Sequence, residues 1–151
     1  MMEKLDVHIV GLGNLGSAFL SGLHSFDDLN LFLYDNSAAV RQTTEDEFSI
    51  IAHDSITYIK SGVIILCIKP QNINEFFNNN KEKINRDVLI CSPVAGLEIK
   101  AIESFMENKI IRVMPNLLIR DNQGFIPYAK NYEDDYFAFN KNVLAKLGVT
   151  K

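Results

Sequence analysis

The chain has 151 residues, of which 47% are hydrophobic and 23% charged, the composition of one ordinary globular domain. Lysine and arginine total 15 against 19 aspartate and glutamate, a net charge of −4, which argues against a general binder of phosphate backbones, so no nucleic-acid partner is expected. No run approaches the roughly 18 uninterrupted apolar residues of a membrane span, and the opening MMEKLDVHIV lacks a signal-peptide core; the expectation is a cytoplasmic protein with no membrane partner.

A chain of this size buries roughly 68–70% of the surface it exposes when unfolded, enough to fold without a disulfide or a structural metal. Cys67 and Cys91 each lie in an apolar run, and neither has a second Cys or a His at ligand spacing. Two buried reduced thiols and no metal site are expected.

Strand and helix signals alternate along the whole chain. Asp6 to Val10 is a short β-branched strand ending at Gly11, and Leu15, Ala18, Phe19 and Leu23 then recur at helical spacing. Leu29 to Tyr34 reads as a second strand and Phe48 to Ala52 as a weaker third. Val63 to Ile68 is apolar at every position, as a central strand covered on both faces should be. A helix follows over Asn72 to Ile84 with Ile73, Phe76, Phe77 and Ile84 on one face. Val88 to Cys91 is a fifth strand, Leu97 to Met106 a helix with Leu97, Ala101, Ile102 and Phe105 inward, and Ile110 to Val113 a sixth strand. Gln123 to Ala129 suggests one more short strand. Tyr136, Phe139, Val143, Leu144 and Leu147 mark a last helix stopped by Gly148, with Val149 and Thr150 as the start of another strand. The pattern predicts a single-domain α/β protein over residues 1–151: a doubly wound, mainly parallel Rossmann-type sheet with helices on both faces. Pro70, Pro93 and Pro115 each follow a predicted strand. They either terminate the strands or gather at the carboxyl edge of the sheet, where such folds hold their ligand.

Gly11-Leu12-Gly13-Asn14-Leu15-Gly16 fits G-x-G-x-x-G, follows a strand, opens a helix and is followed 19 residues after Gly16 by Asp35 at the end of the second strand. That context is what the dinucleotide fingerprint requires. Gly11 permits the tight turn, Gly13 lets the backbone approach a pyrophosphate, and Gly16 lets helix and strand pack closely, with the anion on free N–H groups at a helix N-terminus. Asp35 suits the ribose hydroxyls of NAD and repels the 2′-phosphate of NADP, so NAD(H) is favoured; Arg41 lies near enough in sequence to work the other way.

The glycine block with Asn14, then Cys67-Ile68-Lys69-Pro70-Gln71, Ser92-Pro93-Val94-Ala95-Gly96 and Arg112-Val113-Met114-Pro115-Asn116, together resemble the pyrroline-5-carboxylate reductase family, over about residues 5–149. The resemblance implies an amino-terminal domain that binds NAD(P)H and an enzyme that reduces the C=N bond of a cyclic imine to give proline, the last step of proline biosynthesis. It implies that the Gly11 to Gly16 loop holds the pyrophosphate and that Asp35 and Asn36 lie near the adenosine ribose. Ile68, Lys69 and Pro70, with Val94, Ala95 and Gly96, would border the nicotinamide, while Met114 and Asn116 would lie near the reacting end; no catalytic residue is assigned. Without the family, Lys69 reads as a solvated lysine and Asn116 as a turn residue. Asp54 stands about where the family often has Asn, which puts a cofactor contact in doubt.

The family usually continues from its M-P-N block with Thr-Pro and a Gly-Glu-Gly turn, whereas Leu117-Leu118-Ile119-Arg120-Asp121-Asn122-Gln123-Gly124 follows here. Its helical carboxyl-terminal dimerisation domain is expected to be absent from these 151 residues. The expectation is therefore a chain that binds cofactor, is inactive alone and is monomeric, where a full-length member would be a homo-oligomer. Two other readings compete: a non-catalytic nucleotide-sensing or interaction module, and another imine or β-hydroxyacid reductase. His8, His24 and His53 are scattered and suggest no second chemistry, and His8 reads as a packed strand residue.

Overall fold

In the computed structural model, residues 4–133 and 139–150 are described. Period-two alternation places side chains on both faces of the sheet. Along β1 (Leu5–Val10), Val7 and Ile9 enter one hydrophobic cluster and Val10 the other. Along β4 (Val63–Leu66), Val63 and Ile65 join the first, Ile64 and Leu66 the second, and all four are buried. The strands between are β2 (Leu29–Tyr34) and β3 (Ala52–His53), followed later by β5 (Leu89–Ser92), β6 (Ile110–Val113), β7 (Gly124–Ile126), β8 (Tyr128–Lys130) and β9 (Gly148–Thr150).

A seven-stranded sheet runs β3-β2-β1-β4-β5-β6-β8, parallel throughout except for β8, which is antiparallel to β6. This is the doubly wound order 3-2-1-4-5-6 with an antiparallel edge added, and β4 sits at its centre. On one face pack α1 (Asn14–Leu23) and α5 (Ala145–Leu147), together with a short 3-10 turn, Leu117–Asp121; on the other pack α3 (Ile73–Asn80) and α4 (Ile99–Glu103). The last helix is wound wider over Asn140–Leu144 before α5, and Phe139, Val143, Leu144 and Leu147 are all buried. Tyr136, the first residue of the predicted stripe, lies outside the described residues.

Several expected elements come out differently. Residues expected to open a third strand at Phe48 instead close α2 (Ala38–Phe48). Ser37 caps its start by accepting the Val40 N–H at 3.3 Å, and Ser49 ends it in the left-handed conformation at φ 59°. Only Ala52–His53 pairs with β2. The long helix over Asn72 to Ile84 shortens to α3, flanked by 3-10 turns at Pro70–Asn72 and Lys81–Lys83, and Ile84 is extended, bridged to Ile59. α4 is likewise only five residues long; Ile102 is fully buried but Ala101 faces out. The single strand expected over Gln123 to Ala129 is two, because Pro127 has no N–H to give a ladder: β8 adds to the main sheet, whereas β7 pairs in parallel with β9 in a separate two-stranded sheet. Val149 and Thr150 do form that strand.

His8 is packed, as expected: it is 6% exposed, its Nδ1 shares a 2.9 Å hydrogen bond with the Tyr34 hydroxyl, and its ring stacks on Phe32 at 4.6 Å. Burial lowers its pKa from 6.5 to about 4, with the Asp6 charge acting in the opposite sense. The native state thus keeps a neutral imidazole that the unfolded chain would protonate near pH 6.5. Stability should therefore fall as pH drops from about 6.5 to about 4. In urea titrations across that window, His8→Gln should flatten the decline; an unaltered slope would assign the acid loss to other groups.

Candidate functional site

At the carboxyl end of β1 the chain must turn at once into α1, and the loop is built for that turn. Gly11 holds φ at 93°, a conformation costly for any residue with a Cβ; its N–H donates to the Tyr34 carbonyl at 2.8 Å. A Cβ at Gly11 would also collide with the carbonyl oxygen of Cys67, and one at Gly16 with that of Gly11. At Gly13, by contrast, a Cβ would meet nothing within 4 Å. The loop is thus closed on its protein side and open at its middle glycine. Gly13 is the N-cap of α1 and supplies no side chain to it, so the N–H groups of Asn14, Leu15 and Gly16 have no partner within the helix.

Asp35 braces this loop. Its Oδ2 accepts the Leu12 N–H and its Oδ1 the Ser37 N–H, both at 2.9 Å, which ties the glycine turn to the start of α2. The Arg41 guanidinium donates to the Asp35 main-chain carbonyl at 2.8 Å. Ser17 adds a second tie, its hydroxyl donating to the Leu12 carbonyl at 2.9 Å.

A cleft of about 890 Å³ opens beside the loop at the carboxyl edge of the sheet, the position at which open α/β sheets hold ligands. Of the residues anticipated from sequence, Gly13, Asp35, Asn36, Ile68 and Lys69 line it. Gly11, Leu12, Asn14, Leu15 and Gly16 build the loop without lining the cleft. Pro70 opens the turn that follows β4 and is exposed. Val94 departs from its expected place: its side chain is 5% exposed and packs in the core, leaving Ala95 and Gly96 exposed in the turn after β5. Met114 and Asn116 follow β6 at the same edge, both exposed. Asn116 is the turn residue of the plainer reading, because its Oδ1 accepts the Leu118 N–H at 3.1 Å and so caps the turn Leu117–Asp121.

Other lining residues escaped notice: Val40, Ser55 and Ile56 at the Asp35 end, and Asn72, which caps α3, with Phe76 and Asn79 along it. The spacing Asn72, Phe76, Asn79 marks one helical face, a signal that could have found it. Cys67 also borders the cleft. Burial pushes its thiol and that of Cys91 well above the ordinary range, so both stay neutral and weakly nucleophilic.

No helix among the described residues is long and apolar enough to cross a membrane. Residues 6–96 match the family described as NADP oxidoreductase, coenzyme F420-dependent. The chain is similar to pyrroline-5-carboxylate reductase of Methanosarcina acetivorans, 26% identical over 129 residues that cover 77% of this chain and 46% of that protein. It is similar also to the Shigella flexneri pyrroline-5-carboxylate reductase, 27% identical over 137 residues, covering 86% of this chain and 51% of that one. The chain therefore spans about half the length of these relatives. In fold it matches the crystal structure of Plasmodium falciparum pyrroline carboxylate reductase with NADP bound, at a TM-score of 0.79 and 24% identity, over 97% of this chain and 56% of that one. The match over residues 6–96, on a sheet of dinucleotide-binding order, places the chain in that oxidoreductase family, as an NAD(P)-binding domain of the pyrroline-5-carboxylate reductase-like kind.

Proposed function

We propose that the chain is the nucleotide-binding half of a pyrroline-5-carboxylate reductase, with NADH favoured over NADPH and a cyclic imine as the substrate. The observation that carries this reading is the glycine loop, closed at Gly11 and Gly16 and open at Gly13 at the head of a helix. Such a loop leaves room for a phosphate against the first N–H groups of α1, where the helix dipole favours an anion. Asp35 holds the loop in that shape. Each of its oxygens accepts one backbone N–H and keeps further acceptor capacity for ribose hydroxyls, while its charge opposes a 2′-phosphate. Asn36 stands beside it in the cleft.

When bound, the reduced nicotinamide supplies the hydride that reduces the imine carbon. The chain's part is to hold it. Ile68 and Lys69 line the cleft after β4, and the exposed turns carrying Ala95, Gly96 and Met114 end neighbouring strands at the same edge. Asn116 contributes by capping the turn that follows it.

Calorimetric titration with each nucleotide tests the reading. Both should bind and NADH should bind more tightly. Tighter NADPH binding would mean that Arg41 outweighs Asp35, and the absence of heat with either nucleotide would overturn the assignment. A non-catalytic role is favoured by one observation, that Leu117 and Leu118 stand where the family has Thr-Pro and are 50% and 53% exposed.

A further inference from the structure

We propose that Asp54 is a second specificity-determining residue of this cleft, whose carboxylate discriminates against a dinucleotide carrying a 2′-phosphate. The inference rests on the nucleotide-binding reading above and deepens it. β3 runs parallel to β2 with Leu33 opposite Ala52 and Tyr34 opposite His53. The Asp35 N–H donates to the His53 carbonyl at 2.9 Å, so the pairing continues to the last residues of both strands. Asp35 and Asp54 therefore leave adjacent parallel strands side by side, at a strand spacing of about 4.8 Å. Both border the cleft.

The two carboxylates are held differently. Asp35 is committed on each oxygen to a backbone N–H, of Leu12 and of Ser37; those amide dipoles offset part of its charge, and removing it would release the loop. Asp54 is exposed and accepts from the Ser55 hydroxyl at 3.2 Å. It lines the cleft, and its bond to the adjacent Ser55 ties no second element to it. The other charged residues lining the cleft are Glu75, Lys69 and Lys83, all on or next to the segment from the end of β4 through α3. Arg41, at the Asp35 carbonyl, is the cation nearest in sequence to this end, and a second anion offsets it. A neutral ribose meets no charge repulsion here, whereas a 2′-phosphate meets two like charges.

Asp54→Asn keeps the shape and removes the charge. The dissociation constants of NADH and NADPH are measured for wild type and variant at about 0.05 M and about 0.5 M salt, with the unliganded melting temperature as a fold control. The variant should bind NADPH roughly tenfold more tightly while NADH changes little. Wild type should lose part of its discrimination at the higher salt, where charges are screened within a few ångströms, and the variant should lose less. If NADPH affinity stays within twofold of wild type while both nucleotides bind, Asp54 has no such role. If the ratio falls only because NADH weakens, Asp54 accepts from the ribose and the repulsion is overturned. Failure of wild type to bind either nucleotide would instead sink the nucleotide-binding reading, and this inference with it.

Discussion

NADH at a hundred times its dissociation constant is expected to stabilise the chain by about 2.7 kcal/mol, a rise of roughly 5–10 °C in melting temperature for a domain of this size, and Gly13→Val is expected to abolish that rise. The variant separates ligand from fold because of where the new atoms go. A Cβ at Gly13 meets no protein atom within 4 Å, so the isopropyl group occupies open space at the head of α1, the space assigned to the pyrophosphate. Its cost to the unliganded protein is confined to replacing a glycine N-cap by a β-branched one, on the order of 1 kcal/mol. Gly16→Val is the contrasting case. There the Cβ strikes the Gly11 carbonyl, and the loop must open or the protein unfold, with or without NADH. A melting curve of wild type indifferent to both NADH and NADPH would refute the cofactor assignment outright.

The second large effect is a loss of chemistry. Expressed as these 151 residues, the protein should bind NADH yet turn over pyrroline-5-carboxylate at a rate far below the enzyme median of about 10 per second. Hydride transfer needs the imine carbon held about 3–3.5 Å from the nicotinamide, and fixed orientation can supply as much as ~7–11 kcal/mol of the barrier reduction. Walls on the reacting side are thin here. Met114, Leu117 and Leu118 are each half exposed or more, Ala95 and Gly96 are exposed, and the chain spans only about half of the relatives it matches. Steady-state assays with both nucleotides and the cyclic imine decide the point, since turnover near the median would make this chain a complete catalyst.

Much of this architecture can be read from the residues in order. β2 and β6 match their expected bounds, and β1 begins one residue earlier, at Leu5, whereas β4 ends at Leu66, two residues before the expected Ile68, and β5 runs one residue later than expected, over Leu89–Ser92. The glycine loop is equally legible, since a left-handed turn at Gly11 and a close approach at Gly16 exclude any side chain. α2 escaped because it buries one residue, Thr44, and presents no apolar stripe; its Ser37 cap was the available sign. The overextended helices at α3 and α4 share a cause: their apolar residues continue inward past the helix ends, Ile84 in an extended bridge to Ile59 and Met106 just past the turn that ends α4.

Fold class, strand positions and the glycine-loop geometry follow from local properties, namely side-chain period and allowed backbone angles. The composition of the cleft does not. Asp35 proves to be a brace because Leu12, 23 residues earlier, brings its N–H within 2.9 Å. Asp54 reaches the cleft because a two-residue strand pairs with β2, Val94 is withdrawn into the core, and Asn116 is drawn into a cap. The first three outcomes depend on which segments the right-handed crossovers of the parallel sheet set side by side, whereas the Asn116 cap is a local bond to a residue two positions on. Residues twenty or more positions apart acquire their partners only through that packing.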